Sequence, residues 1–390
     1  MPQHAFRLFG NLAFLQSLDK EGILSRFLAE HRPYFVRQGL DIDALKNDDA
    51  CARRLLEIFT RPGERMPGEL LRDLYVLDQL ADEDGHERIL VEAERLKIDL
   101  QSILCDMCAG DFAILMFLQD RRLIRICHEK TIARQIKRYY EYRSRDQRRF
   151  KLADIEAATL SAKATLAPWF EQRKRTRKCE IFVYGDGEEV RILITHGGLF
   201  RADGNITDRL EFSRLPWRPQ KHDSIIYDTS TGILKVHARL EAERQVYRET
   251  LGEALASDGS FFLAGPCYTL EPLRSNGGAL ILVNGINAAR LTEVVVETDS
   301  ADCRQAQFKG HDLSKAVAGC GDTPVPAGEI VRACFAINYT TGGTARNSEV
   351  RLPNVAEHDR DRDGIINQDF LGANGFVVTG DDADGLVGAT

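Results

Sequence analysis

Residues 121–178 carry 18 Lys and Arg against 6 Asp and Glu, a local balance of +12 in a chain whose formal net charge is -7. Such segregation focuses an electrostatic field on a polyanion, above all a nucleic-acid backbone. Residues 131–150 (TIARQIKRYYEYRSRDQRRF) read as a helix at about 100° per residue. Arg134, Arg138, Arg145 and Arg149 then share one side, with Lys137 and Arg148 adjoining them, while Ile132, Ile136, Tyr139 and Phe150 gather opposite. Planar guanidinium groups grip phosphate oxygens two at a time, and Tyr140 and Tyr142 on the flanks are candidates for stacking on an unpaired base. A second cluster, Arg173, Lys174, Arg175, Arg177 and Lys178, extends the patch.

Three other fates are open to the same cations. They can be neutralised by acidic residues elsewhere in this acidic chain, can dock on an acidic partner protein, or can hold a small anion. Glu141 and Asp146 already interrupt the run. No helix-turn-helix, RNP or zinc-finger signature accompanies it, so recognition of phosphate and not of base sequence is the implied mode.

Motifs for other chemistry are incomplete. Cys105 and Cys108 with Cys127 and His128 outline a Cys3His zinc site, but they fall in apolar, helix-patterned sequence where small buried cysteines are common. Asp359, Asp361, Asp363 and Gly364 resemble the start of an EF-hand or dockerin calcium loop. Phe370 stands where the closing acid belongs, and a polar segment capping a helix from Gly364 is the simpler reading. His-Asp dipeptides begin at His222, His311 and His358 without the helical context of metal phosphohydrolases. His196-Gly197-Gly198 offers backbone amides to an anion or simply a tight turn. Asp228 ahead of Lys235 suggests a nuclease core, but Ile233 occupies the position of the second acid, and Asp299 with Glu297 lacks a lysine. No Walker A loop, nucleophile elbow or HExxH helix occurs. Catalytic residues are thus unassigned, and neither a metal nor another cofactor is expected.

The elements that would position these residues follow from periodicity. Residues 1–172 have helical spacing, with segments at 51–59, 68–80 and 89–104. From Cys179 the period becomes alternating: hairpins form around Gly185-Asp186-Gly187 and around Ser230-Thr231-Gly232, and a helix follows over 240–255. A third hairpin around Gly342-Gly343, followed by 365–371 as a helix, echoes this rhythm. The fold class is therefore α+β: a helical N-terminal domain (1–172) with a basic C-terminal helix, a hairpin-hairpin-helix α/β domain (173–275), and a β-rich domain (276–390) with an acidic, Gly-rich tail whose last ten residues are expected to fray. The two C-terminal segments are either related ββα-type halves or independent.

Nine scattered cysteines, without a secretory leader or a spanning apolar run, indicate a reducing cytoplasmic setting and no membrane partner. The leading expectation is a non-catalytic nucleic-acid-binding or accessory protein that grips DNA or RNA phosphates. A protein-interaction subunit or homo-oligomer is the alternative, and an enzyme built on His196 and Asp228 the third. Prokaryotic DNA transactions, including antiviral defence, fit this layout, although no residue specifies them.

Overall fold

The computed structural model describes residues 6–61, 66–100, 107–206, 212–298, 303–320 and 324–378. The chain forms two compact units, residues 1–132 with 204–214 and residues 133–203 with 215–390.

The first unit is helical. Short helical turns over 12–44 precede α1 (Asp49–Thr60), α2 (Gly68–Asp78), α3 (Glu83–Arg95), α4 (Ala109–Gln119) and the start of α5 (Arg121–Gln135). Local chemistry sets the helix starts. The Asp48 side chain accepts the Cys51 amide before α1, and that of Asp82 accepts the Gly85 amide before α3. Ala52, Leu55, Ile58 and Phe59 form the buried stripe of α1, packed into a core with Phe9, Phe35 and Phe112.

The second unit is built on an 11-stranded sheet. Its strands are β1 (Arg138–Ser144), β2 (Cys179–Asp186), β3 (Glu189–Gly197), β6 (Gln220–Asp228), β7 (Leu234–His237), β8 (Phe262–Leu263), β9 (Ile286–Glu297), β10 (Gln305–Lys309), β11 (Ile330–Tyr339), β12 (Arg346–Arg351) and β13 (Val355–Glu357). A separate two-stranded sheet pairs β4 (Arg201–Ile206) with β5 (Phe212–Trp217); its base belongs to this unit and residues 204–214 to the first. The order is β10-β9-β11-β12-β13-β1-β7-β6-β3-β2, with β8 on β1, and the neighbours are antiparallel.

Three hairpins stand where alternation and turn residues place them. Gly187, Gly232, Gly342 and Gly343 all adopt positive φ in or beside those turns, a conformation that costs glycine little. Asp228 fixes the second turn, its Oδ1 accepting from the amides of Ser230 and Thr231, both at 3.0 Å. The expected helices also form, as α7 (Glu241–Ala256) and α8 (Arg360–Ala373).

The basic helix over 131–150 does not form as expected. α5 stops at Gln135, and 138–144 becomes β1, paired with β13 on one side and β7 on the other. The physical reason is its run of tyrosines. A strand sends Tyr139 and Glu141 to one face and Tyr140 and Tyr142 to the other, so aromatic area is buried on both faces of a central strand. Insertion of β1 carries 133–172 into the second unit. The expected boundary at 172/173 therefore lies at 132/133, and that at 275/276 falls inside a unit whose single sheet draws strands from both sides of it.

The register assigns the helices to opposite faces. Tyr140, Val236, Ile225 and Ile192 lie in one cross-strand row and belong to the core closed by α7 and by α6 (Leu152–Gln172), which contribute Ile155, Leu166, Phe170, Tyr247 and Leu251. Tyr139 is one residue away and faces the other side. Its row continues through Ala356, Val350, Ala333 and Val294, and the last four pack with Phe370 and Leu371 of α8. Among the described residues, no helix is long and apolar enough to cross a membrane.

Candidate functional site

With 138–144 extended, the expected ridge is dispersed over a helix end, a strand and a loop, and most of its charges meet carboxylates. Arg134 pairs with Asp361 at 3.0 Å, Lys137 with Asp359 at 3.1 Å and Arg138 with Glu357 at 2.6 Å. Arg145 pairs with Asp258 at 2.6 Å and Arg148 with Asp146 at 2.8 Å, while Arg149 donates to the Ser230 carbonyl at 3.0 Å. Five cations of this run thus pair with carboxylates of the chain itself. The tyrosines are engaged too. Tyr142 is buried, and the Arg244 guanidinium lies 3.7 Å from the centre of the Tyr140 ring.

The same contacts account for the calcium-like segment. Asp359 caps α8, which begins at Arg360 and runs through Gly364 without a loop. Asp363 is buried and receives both Nε and Nη2 of Arg346 at 2.6 Å. Burial pushes the Asp359 carboxyl up, but the hydrogen bond and charge of Lys137 outweigh that and hold it below its ordinary value. Each of the three carboxylates is thus satisfied by a side-chain cation.

The second basic cluster has a different environment. It lies where α6 ends and the chain turns into β2, beside the base of the β4–β5 hairpin. Thr176 Oγ1 accepts the Gly197 amide at 3.0 Å, and Arg218 Nη1 donates to the carbonyls of Lys174 at 2.7 Å and Gly198 at 3.2 Å. The Gly198 amide donates to the Pro219 carbonyl at 2.7 Å. Both amides of the Gly-Gly pair are therefore consumed by the neck of the hairpin, which excludes them as an anion cradle.

Around this neck the surface is cationic. Lys174, Arg177, Lys178, Arg201 and Arg218 are exposed and Lys221 is half-buried. The ammonium groups of Lys174, Lys178 and Lys221 have no ion-pair partner among the described residues, and Arg218 donates only to neutral carbonyls. Arg177 has a loose, exposed contact with Glu171 at 3.5 Å, of a kind worth little in water. Arg173 lies over the Trp169 ring at 3.9 Å. Trp217 and Phe200 are 40% and 59% exposed beside these charges, and the Trp217 indole N–H donates to Asp203 at 2.5 Å.

Arg175 is the exception within the cluster. It is buried and forms an ion pair with buried Glu243, whose other oxygen accepts the Leu240 amide at 2.8 Å and so caps α7. Beside them, His196 Nε2 lies 2.9 Å from Asp223 Oδ2, to which the Tyr247 hydroxyl donates at 2.6 Å. His196 also stacks on Phe170. Among the described residues, His196, Asp223 and Glu243 are the one group of potential ligands close enough to share a metal ion. Arg175 already supplies the positive charge there and Tyr247 a proton donor. Burial and then the Asp223 carboxylate hold the Tyr247 phenol well above its ordinary pKa, which keeps it neutral. The arrangement fastens the ends of α6 and α7 to the sheet.

The structure does not unite His196 with Asp228. They lie at opposite ends of the β3–β6 ladder, His196 across from Lys221 and Asp228 across from Glu189, and an odd separation along β6 places Asp223 and Asp228 on opposite faces. Lys235 is buried with its ammonium 3.1 Å from Glu189 and 3.9 Å from Asp228. The carboxylate nearest the Lys235 ammonium is thus Glu189 of β3, not an acid two residues before it. Burial pushes the Glu189 carboxyl up, while Lys235 and Arg191 pull it further down, leaving an ionised group within an internal salt-bridge network.

Of the cysteines considered for zinc, Cys105 lies outside the described residues, Cys108 caps α4 and Cys127 is buried in α5. Asp299 and the last ten residues also lie outside them. What sequence reasoning missed was the hairpin neck, Phe200, Arg201, Trp217, Arg218 and Lys221; its signal was the interleaving of aromatic and basic residues over 199–221. No known protein family matches this chain, and no curated protein matches it in sequence.

Proposed function

We propose that this chain is a nucleic-acid-binding accessory protein whose phosphate contacts come from Lys174, Arg177 and Lys178 together with Arg201, Arg218 and Lys221 at the hairpin neck. The observation that carries this reading is the contrast between two basic clusters of one sequence run. Arg134, Lys137, Arg138, Arg145 and Arg148 each pair with a carboxylate 2.6–3.1 Å away, whereas the ammonium groups of Lys174, Lys178 and Lys221 have no ion-pair partner among the described residues. Uncompensated surface cations attract a polyanion at long range and release its counterions on contact.

The test is fluorescence anisotropy with labelled DNA and RNA at low and physiological salt, comparing wild type with Lys174→Glu/Lys178→Glu and Arg138→Glu/Arg145→Glu. Binding should fall steeply with salt, weaken by more than about tenfold in the first variant, since two phosphate contacts become repulsive, and change little in the second. Absence of binding by wild type at low salt, or loss confined to the second variant, would overturn the proposal. An acidic protein partner would then be the reading to pursue.

A further inference from the structure

We infer that the hairpin neck selects single-stranded over double-stranded nucleic acid by stacking unpaired bases on Phe200 and Trp217; this rests on the phosphate site proposed above. Large aromatic side chains at a soluble surface need a reason when they occur together, and here Phe200 is 59% and Trp217 40% exposed, with Leu199 and Leu215 also open to solvent. A duplex keeps its bases stacked on one another and offers such rings only phosphate and sugar. An unpaired base presents a π-face, and stacking on an aromatic side chain is tolerant of sequence because every base has one.

The geometry suits that task. Strand alternation puts Leu215 and Trp217 on one face of β5, and the indole N–H is tied to Asp203, which orients the ring while leaving it accessible. Arg218 follows Trp217 directly, with its guanidinium anchored on the Lys174 and Gly198 carbonyls. Phe200 precedes Arg201, so each ring has a cation next to it in sequence. A strand whose phosphates follow Arg201, Arg218 and Lys174 has its bases free to turn onto the rings. Tyr140 and Tyr142 cannot take this part, one being covered by Arg244 and the other buried.

The experiment compares an oligo(dT) of about 16 nucleotides with a duplex of the same length, binding to wild type, Phe200→Ala/Trp217→Ala and Lys174→Glu/Lys178→Glu. Circular dichroism checks that the exposed substitutions leave the fold intact. The aromatic double variant should bind oligo(dT) at least about tenfold more weakly and the duplex within about twofold of wild type. In a Trp169→Phe background, where Trp217 is the sole tryptophan, oligo(dT) should quench the emission and the duplex should not. Unchanged oligo(dT) affinity in the aromatic variant, or equal losses for both ligands, overturns the stacking inference. If the lysine variant still loses binding in that case, the phosphate site stands without it. If wild type binds neither ligand, both fall.

Discussion

Arg175→Ala separates an internal role from a surface role inside a single basic run. The Arg175 and Glu243 side chains are 5% and 1% exposed, so truncating one leaves the other charged, buried and unpaired. Removing one partner of such a pair costs about 3–5 kcal/mol. The two tryptophans of the chain, Trp169 and Trp217, both lie in the second unit, so their emission during urea titration reports the unfolding of that unit. With a urea dependence of about 2–3 kcal/mol per molar, the midpoint should fall by about 1–2.5 M. Arg175→Met/Glu243→Leu removes both charges and should recover at least half of the loss, because apolar replacements of a buried pair are often close to neutral; the cap on the Leu240 amide remains lost. Lys174→Glu, one residue earlier, should leave the midpoint within the ~0.5 kcal/mol typical of surface changes. A shift below that value for Arg175→Ala, or a double variant no better than the single one, would refute the assignment of Arg175 to the interior.

His358 is buried, and desolvation, then Arg360 and Lys235, hold its imidazole well below its ordinary pKa. The unfolded chain takes up this proton as pH falls through about 6.5 while the folded chain does not, so stability should decline below that pH by up to about 1.4 kcal/mol per unit. Denaturation midpoints of wild type and His358→Gln between pH 8 and pH 5 should show a shallower decline in the variant. Asp228→Ala removes the acceptor that holds the Ser230 and Thr231 amides and should cost about 1–2 kcal/mol, measured by the same titration. Arg138→Ala breaks a partly exposed pair with Glu357 and should cost less than about 1 kcal/mol.

Sequence and structure agree where the signal is local. Glycines that needed positive φ and runs with period two located the hairpins at 187, 232 and 342, whereas the helix expected over 89–104 runs over 83–95, its start set by the Asp82 cap. Residues 138–144 were misread because a charged segment following a helix has good helical spacing of its own, and nothing nearby reveals that two strands wait on either side of it. The tyrosine pattern carried the missing clue. Charge pairing was illegible for a different reason. Lys137 and Asp359 are 222 residues apart, and Arg138 and Glu357 are 219 apart, so these pairs exist only after the sheet has closed. The neck is legible in composition but not in geometry, since its shape depends on Arg218 reaching back to the Lys174 carbonyl.

The ladder between β3 and β6 runs without interruption to Gly197 opposite Gln220, and the Gly198 amide closes on the Pro219 carbonyl just beyond it. The β4–β5 hairpin is therefore an excursion from a joint that is already sealed. A change in its length beyond Gly198 and Pro219 leaves the register of the main sheet as it is, because chain leaving and returning at the same point transmits no slippage. For engineering it is a graft point at which another loop can replace the native arm while the sheet keeps its order.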